Sequence, residues 1–541
     1  MSIFSHVKAD YAKTSLFNLS HEVKNSCKFG QLIPFLTQEV LPGDVWRVNS
    51  QILTRLQSLK SPIMHQIDVY THYFFVPYRL LWSKWEDFVT QSIDGLTSKG
   101  TPTQLPLLHL SSRDAAGALA AGTLADYLGV KTARSGDVEV TTSEFWLNML
   151  PFCAYHKIYS DFYRDENLER AFDLDPSAGE NAWQDLEESD PDFLALHYRN
   201  WKKDYFTSAL PWTQKGSDVT LPIGSVEFED PTVYVNKVTF GNYPSGNTQN
   251  PVGGDVNLRT DAGNSLMWAD FDSSTGREGP AYLTGEIADP QIGINAVTIN
   301  ELRRANALQR WLEANARGGT RYIEQILSHF GVVSDDARLQ RAEYLGGGKS
   351  PIVISEVLQT SATDVTPLAD MAGKALSASR NHAFKRRFKE HGIVMGIMSI
   401  MPKAGYMQGI PRMFLKRDVF DFGWPLLAHL GEQPIYNEEL FATGSPETTE
   451  EFGTFGYTPR YAEYKFIPDQ VAGQFRTSLD YWHGARLFSN PPALNPAFIS
   501  TERYSPRFFA VIDGSEDYVL NDIYLDCRVI RKLPKYGTPR L

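Results

Sequence analysis

The five residues Gly346-Gly347-Gly348-Lys349-Ser350 have the types that phosphate chemistry uses. In a nucleotide-binding loop, glycine amides cradle phosphate and the lysine reaches the outer phosphates. The full pattern needs a glycine five positions before Gly348, and Glu343 stands there. Such a loop must also open a helix, whereas the following Pro351-Ile352-Val353-Ile354-Ser355 reads as a strand. A glycine turn between a helical hairpin and a strand is the better reading. The twelve histidines show no HExxH spacing. His65, His72, His391, His429 and His483 each sit singly beside apolar residues, which suits core or interface histidines better than metal ligands. No GxSxG elbow occurs, which argues against an α/β-hydrolase nucleophile. The pairs Glu438-Glu439 and Glu450-Glu451 lie in polar stretches and read as solvated faces. Cys27, Cys153 and Cys527 are far apart, so neither a disulfide framework nor a zinc site is expected, and a reducing compartment is. No cofactor is implied.

Association with nucleic acid is the chemistry that remains. The net charge of −12 opposes it, but the charge is unevenly spread. Ser217–Val297 carries eleven acidic and three basic side chains. Lys374–Lys389 has six basic residues and no acid, and Arg528–Leu541 has five and no acid. Each cation near a phosphate displaces a counterion, giving sequence-independent, salt-dependent binding. Tyr536, inside the C-terminal run, could stack on an unpaired base. The candidate DNA contacts are Arg531, Lys532, Lys535 and Arg540 in the tail, Lys8 and Lys13 near the N-terminus, and Arg386 and Arg387 in the middle run. The alternatives are a solvated tail, a tail paired with a neighbouring subunit, and a middle run that merely flanks the strand starting at Ile393.

These residues need a scaffold. Hydrophobic content of 42%, charged content of 21% and 12% aromatics fit a folded chain, and 31 prolines with 40 glycines suit many turns and few long helices. Residues 1–30 read as an N-terminal arm that needs a partner to order it. After Pro42-Gly43-Asp44, residues Val45, Arg47 and Asn49 alternate with Trp46 and Val48, which is strand periodicity. IDVYTHYFFVP reads as a strand, and Trp82, Trp85 and Phe88 as a short helix after it. Residues 144–170 suggest a buried helix broken at Pro151. Residues 217–297, with ten glycines, read as an excursion from the body. A helical hairpin is expected over 298–331, opened by a capping box at Thr298 and Glu301 and divided at Gly318-Gly319. PIVISEVLQT, HGIVMGIMSIMPK, FRTSLDYW, RFFAVIDG and YVLNDIYLDCRVIR read as strands. In the last, Val519, Asn521, Ile523, Leu525, Cys527 and Val529 share one face. Long strands with very long connections predict a mainly β chain: an eight-stranded jelly roll of two four-stranded sheets, with long loop insertions and a few helices. The N-terminus lacks a secretory h-region, and no apolar run is long enough to cross a membrane.

Ten segments then resemble one family in order along the whole chain. They are FNLSHEVK, GQLIPFLTQEVLPGD, MHQIDVYTHYFFVPYRLLWSKWEDF, DYFTSALPWTQKG, ARGGTRYIEQILSHFGV, DARLQRAEYLGGG, EHGIVMGIMSIMPKAGYMQGIPR, HLGEQPIYNEEL, FGYTPRYAEYKF and the ending YGTPRL. They resemble the major capsid proteins of the gokushovirus branch of the Microviridae. Ala342 stands where that pattern leads one to expect proline. The resemblance implies a viral jelly roll over 1–541 in a T=1 icosahedral shell of sixty copies, with pentamers as assembly units. It implies a packaged circular single-stranded DNA genome, an internal scaffolding protein and a DNA pilot protein. It also implies that 217–297 forms a protrusion at each three-fold axis and serves host attachment through a surface receptor. The protein would assemble in the bacterial cytoplasm and reside in the virion. Aromatics beyond what one sandwich can bury would serve contacts between copies, with Trp82, Trp85, Trp424 and Tyr457 as candidates. A virion spike or receptor-binding protein, or a carbohydrate-active β-sandwich enzyme, are the rival classes. The full-length match opposes the first, and no paired-carboxylate cleft singles out the second.

Overall fold

The computed structural model describes residues 14–90, 104–110, 120–130, 145–171, 193–217, 219, 298–358, 360, 371–442, 453–504, 506–510 and 516–536, together with six short strands between 226 and 294. Two compact units divide the chain, one made of Met1–Lys215 and Glu313–Leu541, the other of Gly216–Leu312.

In the first unit, ten strands form two antiparallel sheets. They are β1 (Ser15–Asn18), β2 (His21–Cys27), β3 (Ile33–Val40), β4 (Val45–Leu56), β5 (Ile67–Pro77), β6 (Glu343–Pro351), β7 (Val353–Leu358), β8 (Met371–Arg387), β9 (Gly392–Pro402) and β10 (Val519–Arg531). The larger sheet runs β1-β10-β4-β8-β7, with β2 also paired to β10; the smaller runs β6-β5-β9-β3. This is a jelly-roll β-sandwich, with six and four strands rather than four and four. The first edge strand is interrupted at Leu19-Ser20, and β7 is an added hairpin partner of β8.

Sequence explains the pairing. In β4 every second residue from Trp46 to Leu56 is buried, and in β10 every second residue from Val519 to Val529 is. Asn521, the polar member of that β10 face, is satisfied: it donates to Asn25 (2.9 Å) and accepts from Thr54 (2.8 Å). Strand β9, GIVMGIMSIMP, is buried throughout. Val394, Met398 and Ile400 face the core between the sheets, while Ile393, Met395 and Ile397 face a second cluster with Phe152, Tyr155 and Trp82. A continuous apolar run is what a strand dry on both faces requires.

Several expectations are corrected. Residues 15–27 are β1 and β2, paired along β10, so at most residues 1–13, outside the described residues, remain for an arm. The glycine run lies within strand β6. Gly346 and Gly348 face β8, where a Cβ would come within 2.4 Å of the Ala383 carbonyl and 2.3 Å of the Asn381 side chain. The glycines let the two sheets approach at this edge. Pro151 does not break a helix; it sits in the first turn of Leu150–Ile158, where its missing N–H costs nothing. FRTSLDYW forms two single helical turns, Gly473–Arg476 and Asp480–Trp482. In RFFAVIDG, Phe508 and Phe509 are core plugs on a turn, their rings tilted against Phe29. The amide of Ala342 donates to Asp161 (2.9 Å), a bond that proline could not make.

The second unit holds a four-stranded sheet, Asn257–Thr260, Leu266–Ala269, Glu278–Thr284 and Lys237–Phe240, and the pair Val226–Phe228 with Ile292–Ile294. It is wider than the expected excursion and ends within the helix Ile299–Gly318, whose Thr298–Glu301 capping box is formed. A second helix spans Tyr322–Phe330.

Candidate nucleic-acid interface

The larger sheet buries one face and leaves the other to solvent. On that open face, antiparallel register brings together cations that lie far apart in sequence. Lys385 of β8 is opposite Arg47 of β4, and Arg47 is opposite Arg528 of β10. Neighbouring strands are about 4.8 Å apart, so this is one row of three cations. Parallel rows hold Arg380, Gln51 and Tyr524, then Leu376, Arg55 and Leu520. Tyr524 and, beyond the strand end, Tyr536 are exposed. Arg528 has a partner in Asp526 (3.2 Å). Arg47, Arg55, Lys374, Arg380, Lys385 and Arg387 are exposed and make no ion pair among the described residues. Like charges directly opposite each other weaken a sheet by up to about 1 kcal/mol. Here Asp526, on the same face, relieves that cost at Arg528, while the Lys385–Arg47 pair keeps it, and an anion laid across that pair would relieve it.

A bulge sets the pattern. The register shifts between His382 and Phe384, so Phe384 enters the core and Lys385 turns out beside Arg47. The basic run 374–389 therefore belongs chiefly to β8 itself and is no flank of the next strand. Its core side carries Gly373, Ala375 and Ser377, too small to announce a strand; a Cβ on Gly373 would meet the Ser61 carbonyl at 2.4 Å. Arg47 and Arg55 were not among the sequence candidates, although the alternation in β4 already put Arg47 on the face opposite Trp46.

The other candidates divide. Arg531 is a structural clamp: it pairs with buried Asp44 (2.8 Å), donates to the Glu39 carbonyl (3.1 Å) and lies over Trp46, fixing the β3–β4 turn. Arg386 reaches back to Glu343 (2.9 Å), so its charge is partly compensated. Lys532 is exposed and lies against Gly43; Lys535 is exposed beside the Tyr536 ring. Lys8, Lys13 and Arg540 fall outside the described residues. Lys349 pairs with Asp68 (2.9 Å) on a strand, not at a phosphate loop. Trp82 is 1% exposed and is a core residue, which removes it from the contact candidates. Trp85 is half-buried against Tyr78, and Tyr457 is half-buried in the strand Thr454–Pro459, which bridges to Leu210. Trp424 is 48% exposed.

Four histidines, His65, His72, His156 and His197, are neutral packing groups. Burial pushes His65 and His72 down to about 4, and His72 contacts the Tyr163 hydroxyl at 2.6 Å. His156, also pushed down to about 4 by burial, donates from Nε2 to the Phe193 carbonyl (2.6 Å). Its Nδ1 is then free to accept from His197 Nε2 (2.8 Å), and burial holds His197 well below its ordinary value as well. Glu439 corrects the solvated-face reading. It is buried, paired with Arg412 (2.8 Å), and accepts from the Tyr205 hydroxyl (2.9 Å). Glu450-Glu451 falls outside the described residues. All three cysteines are buried and form no disulfide, and among the described residues no group of three His, Cys, Asp or Glu could hold a metal. No helix among them is long and apolar enough to cross a membrane.

A jelly roll whose larger sheet keeps an open face with cations aligned across strands fits a protein that works through its surfaces. Comparison with known proteins gives the family. Residues 5–541 match the family described as capsid protein (F protein), and the chain belongs to it. It is 35% identical to capsid protein VP1 of Chlamydia phage 1 and 34% identical to capsid protein VP1 of Bdellovibrio phage phiMH2K. It is 30% identical to capsid protein VP1 of Spiroplasma virus 4, and each comparison covers 99% of this chain and 97% of the relative. The chain is a capsid protein of a phage virion of the gokushovirus type, not an enzyme.

Proposed function

We propose that sixty copies of this chain form a T=1 shell around circular single-stranded DNA, with the open face of the larger sheet turned to the DNA. The observation that carries this is the Lys385–Arg47–Arg528 row, flanked by exposed Tyr524 and by Arg55, Arg380 and Arg387, which make no ion pair among the described residues. Phosphates relieve the cross-strand repulsion, and the tyrosine offers a stacking platform without base preference. Exposed Lys532 and Lys535 extend the same surface. An internal scaffolding protein and a DNA pilot protein of the phage accompany assembly.

The acid-rich segment 217–297, largely a compact unit of its own, forms the three-fold protrusion and serves host attachment. Electron microscopy of the expressed chain, with scaffolding protein, tests the shell: closed particles of about sixty copies are expected, and persistent monomers contradict it. Binding of oligothymidine measured against salt tests the face. Arg47→Gln with Lys385→Gln should lower the slope of log K against log salt by about 0.7 per lost contact; an unchanged slope removes the face from the binding surface.

A further inference from the structure

The segment between β9 and the strand Glu432–Tyr436 is built inside out. Met413, Phe414, Val419, Phe420, Leu426 and Leu430 are between 59 and 90% exposed, and Trp424 is half exposed. Several polar groups of the same segment are instead bonded within it or back onto the body. Lys416, with a side chain only 8% exposed, donates to the Tyr464 hydroxyl (2.6 Å), lies over the Phe422 and Tyr464 rings, and reaches Glu463 (4.0 Å). The Asp421 carboxylate accepts from the amides of Arg417 and Asp418 (2.8 and 2.9 Å), and Arg460 donates to the Phe420 carbonyl (2.7 Å). At the root, buried Arg412 donates to the Pro434 carbonyl (2.6 Å) and to Glu439, which also accepts from the Tyr436 amide (3.0 Å). Trp424 is tied by its ring N–H to the Val419 carbonyl (2.9 Å).

Soluble monomers rarely expose a contiguous apolar patch beyond a few hundred Å². This one is rich in Phe, Met and Trp, the types that form the centres of protein interfaces. It is also held rigid before any partner arrives, so little ordering entropy opposes docking. The occupant follows from charge and from the protein's class. The exposed Arg417 and Asp418 cancel, so no field attracts DNA and none repels an identical surface. A coat protein's most abundant partner is itself.

We infer that the segment Arg412–Leu430 is a preformed contact surface that seats on a second copy of this chain in the shell. This rests on the shell reading above. The native cysteines are all buried, so Leu426→Cys creates one reactive thiol at a 90% exposed position. Maleimide labelling is measured on dissociated folded subunits and on closed particles stripped of other phage proteins. Labelling should slow by about tenfold or more in particles; equal rates would overturn the inference. Protection that vanishes when another phage protein is stripped away would overturn it too, assigning the surface to that protein. A second variant, Leu426→Asp with Phe414→Asp, should keep the wild-type circular dichroism and melting temperature yet give no particles. Normal particle yield from it would contradict the inference, whereas failure of wild-type chain to close would instead contradict the shell reading.

Discussion

The two sheets of the sandwich have the same strand chemistry and opposite surroundings. The smaller sheet is dry on both faces at β9, packed between the sandwich core and the cluster around Phe152 and Trp82. The larger is dry on one face only, and the other carries cations stacked across strands. Burial on both sides makes every residue of β9 a stability residue. The open side of the second keeps charges, Arg47 and Lys385 among them, that make no ion pair among the described residues. The difference separates what holds the subunit together from what the subunit offers to others.

Perturbations should sort accordingly. Phe74, buried under the second cluster, should be the most costly to truncate: Phe74→Ala should lower stability by about 3–5 kcal/mol, read by denaturant unfolding. Arg412→Ala leaves Glu439 buried without its cation. It should cost about 3–5 kcal/mol when the partner charge stays, and Glu439→Gln in the same chain should restore part of the loss. Acid should act on the dry side next. His65, His72 and His156 bind protons near the ordinary histidine value when unfolded but only near about 4 when folded. The unfolded chain therefore holds more protons between those values, and stability falls as pH drops from about 6.5 towards 4. Melting temperature against pH should show this fall, and His156→Gln should flatten it. A flat wild-type profile would contradict neutral buried histidines. The open side gives the smallest stability effect: Arg47→Gln should change stability by less than about 0.5 kcal/mol, in either direction, while weakening DNA binding.

Periodicity made the dry parts legible. The alternation in β10 and the unbroken apolar run of β9 state their surroundings in the residues themselves. The basic face was only half legible. Its cations were visible as runs in 374–389 and 528–541, but their meeting depends on register between strands more than a hundred residues apart, together with a bulge at Ala383. Small core residues in β8 hid that strand, and glycines in β6 passed for a turn because their purpose is close approach to β8. Arg531 looked free in sequence because Asp44, its partner, lies at the other end of the chain.

The central claim is that the open face of the larger sheet lines the DNA. Ultraviolet cross-linking of purified particles, followed by mass spectrometry of nucleotide-bearing peptides, tests it most directly. Adducts should concentrate in the peptides of β4, β8 and β10, with Tyr524 among the modified residues. Full particles whose adducts lie entirely outside those three strands would contradict the account.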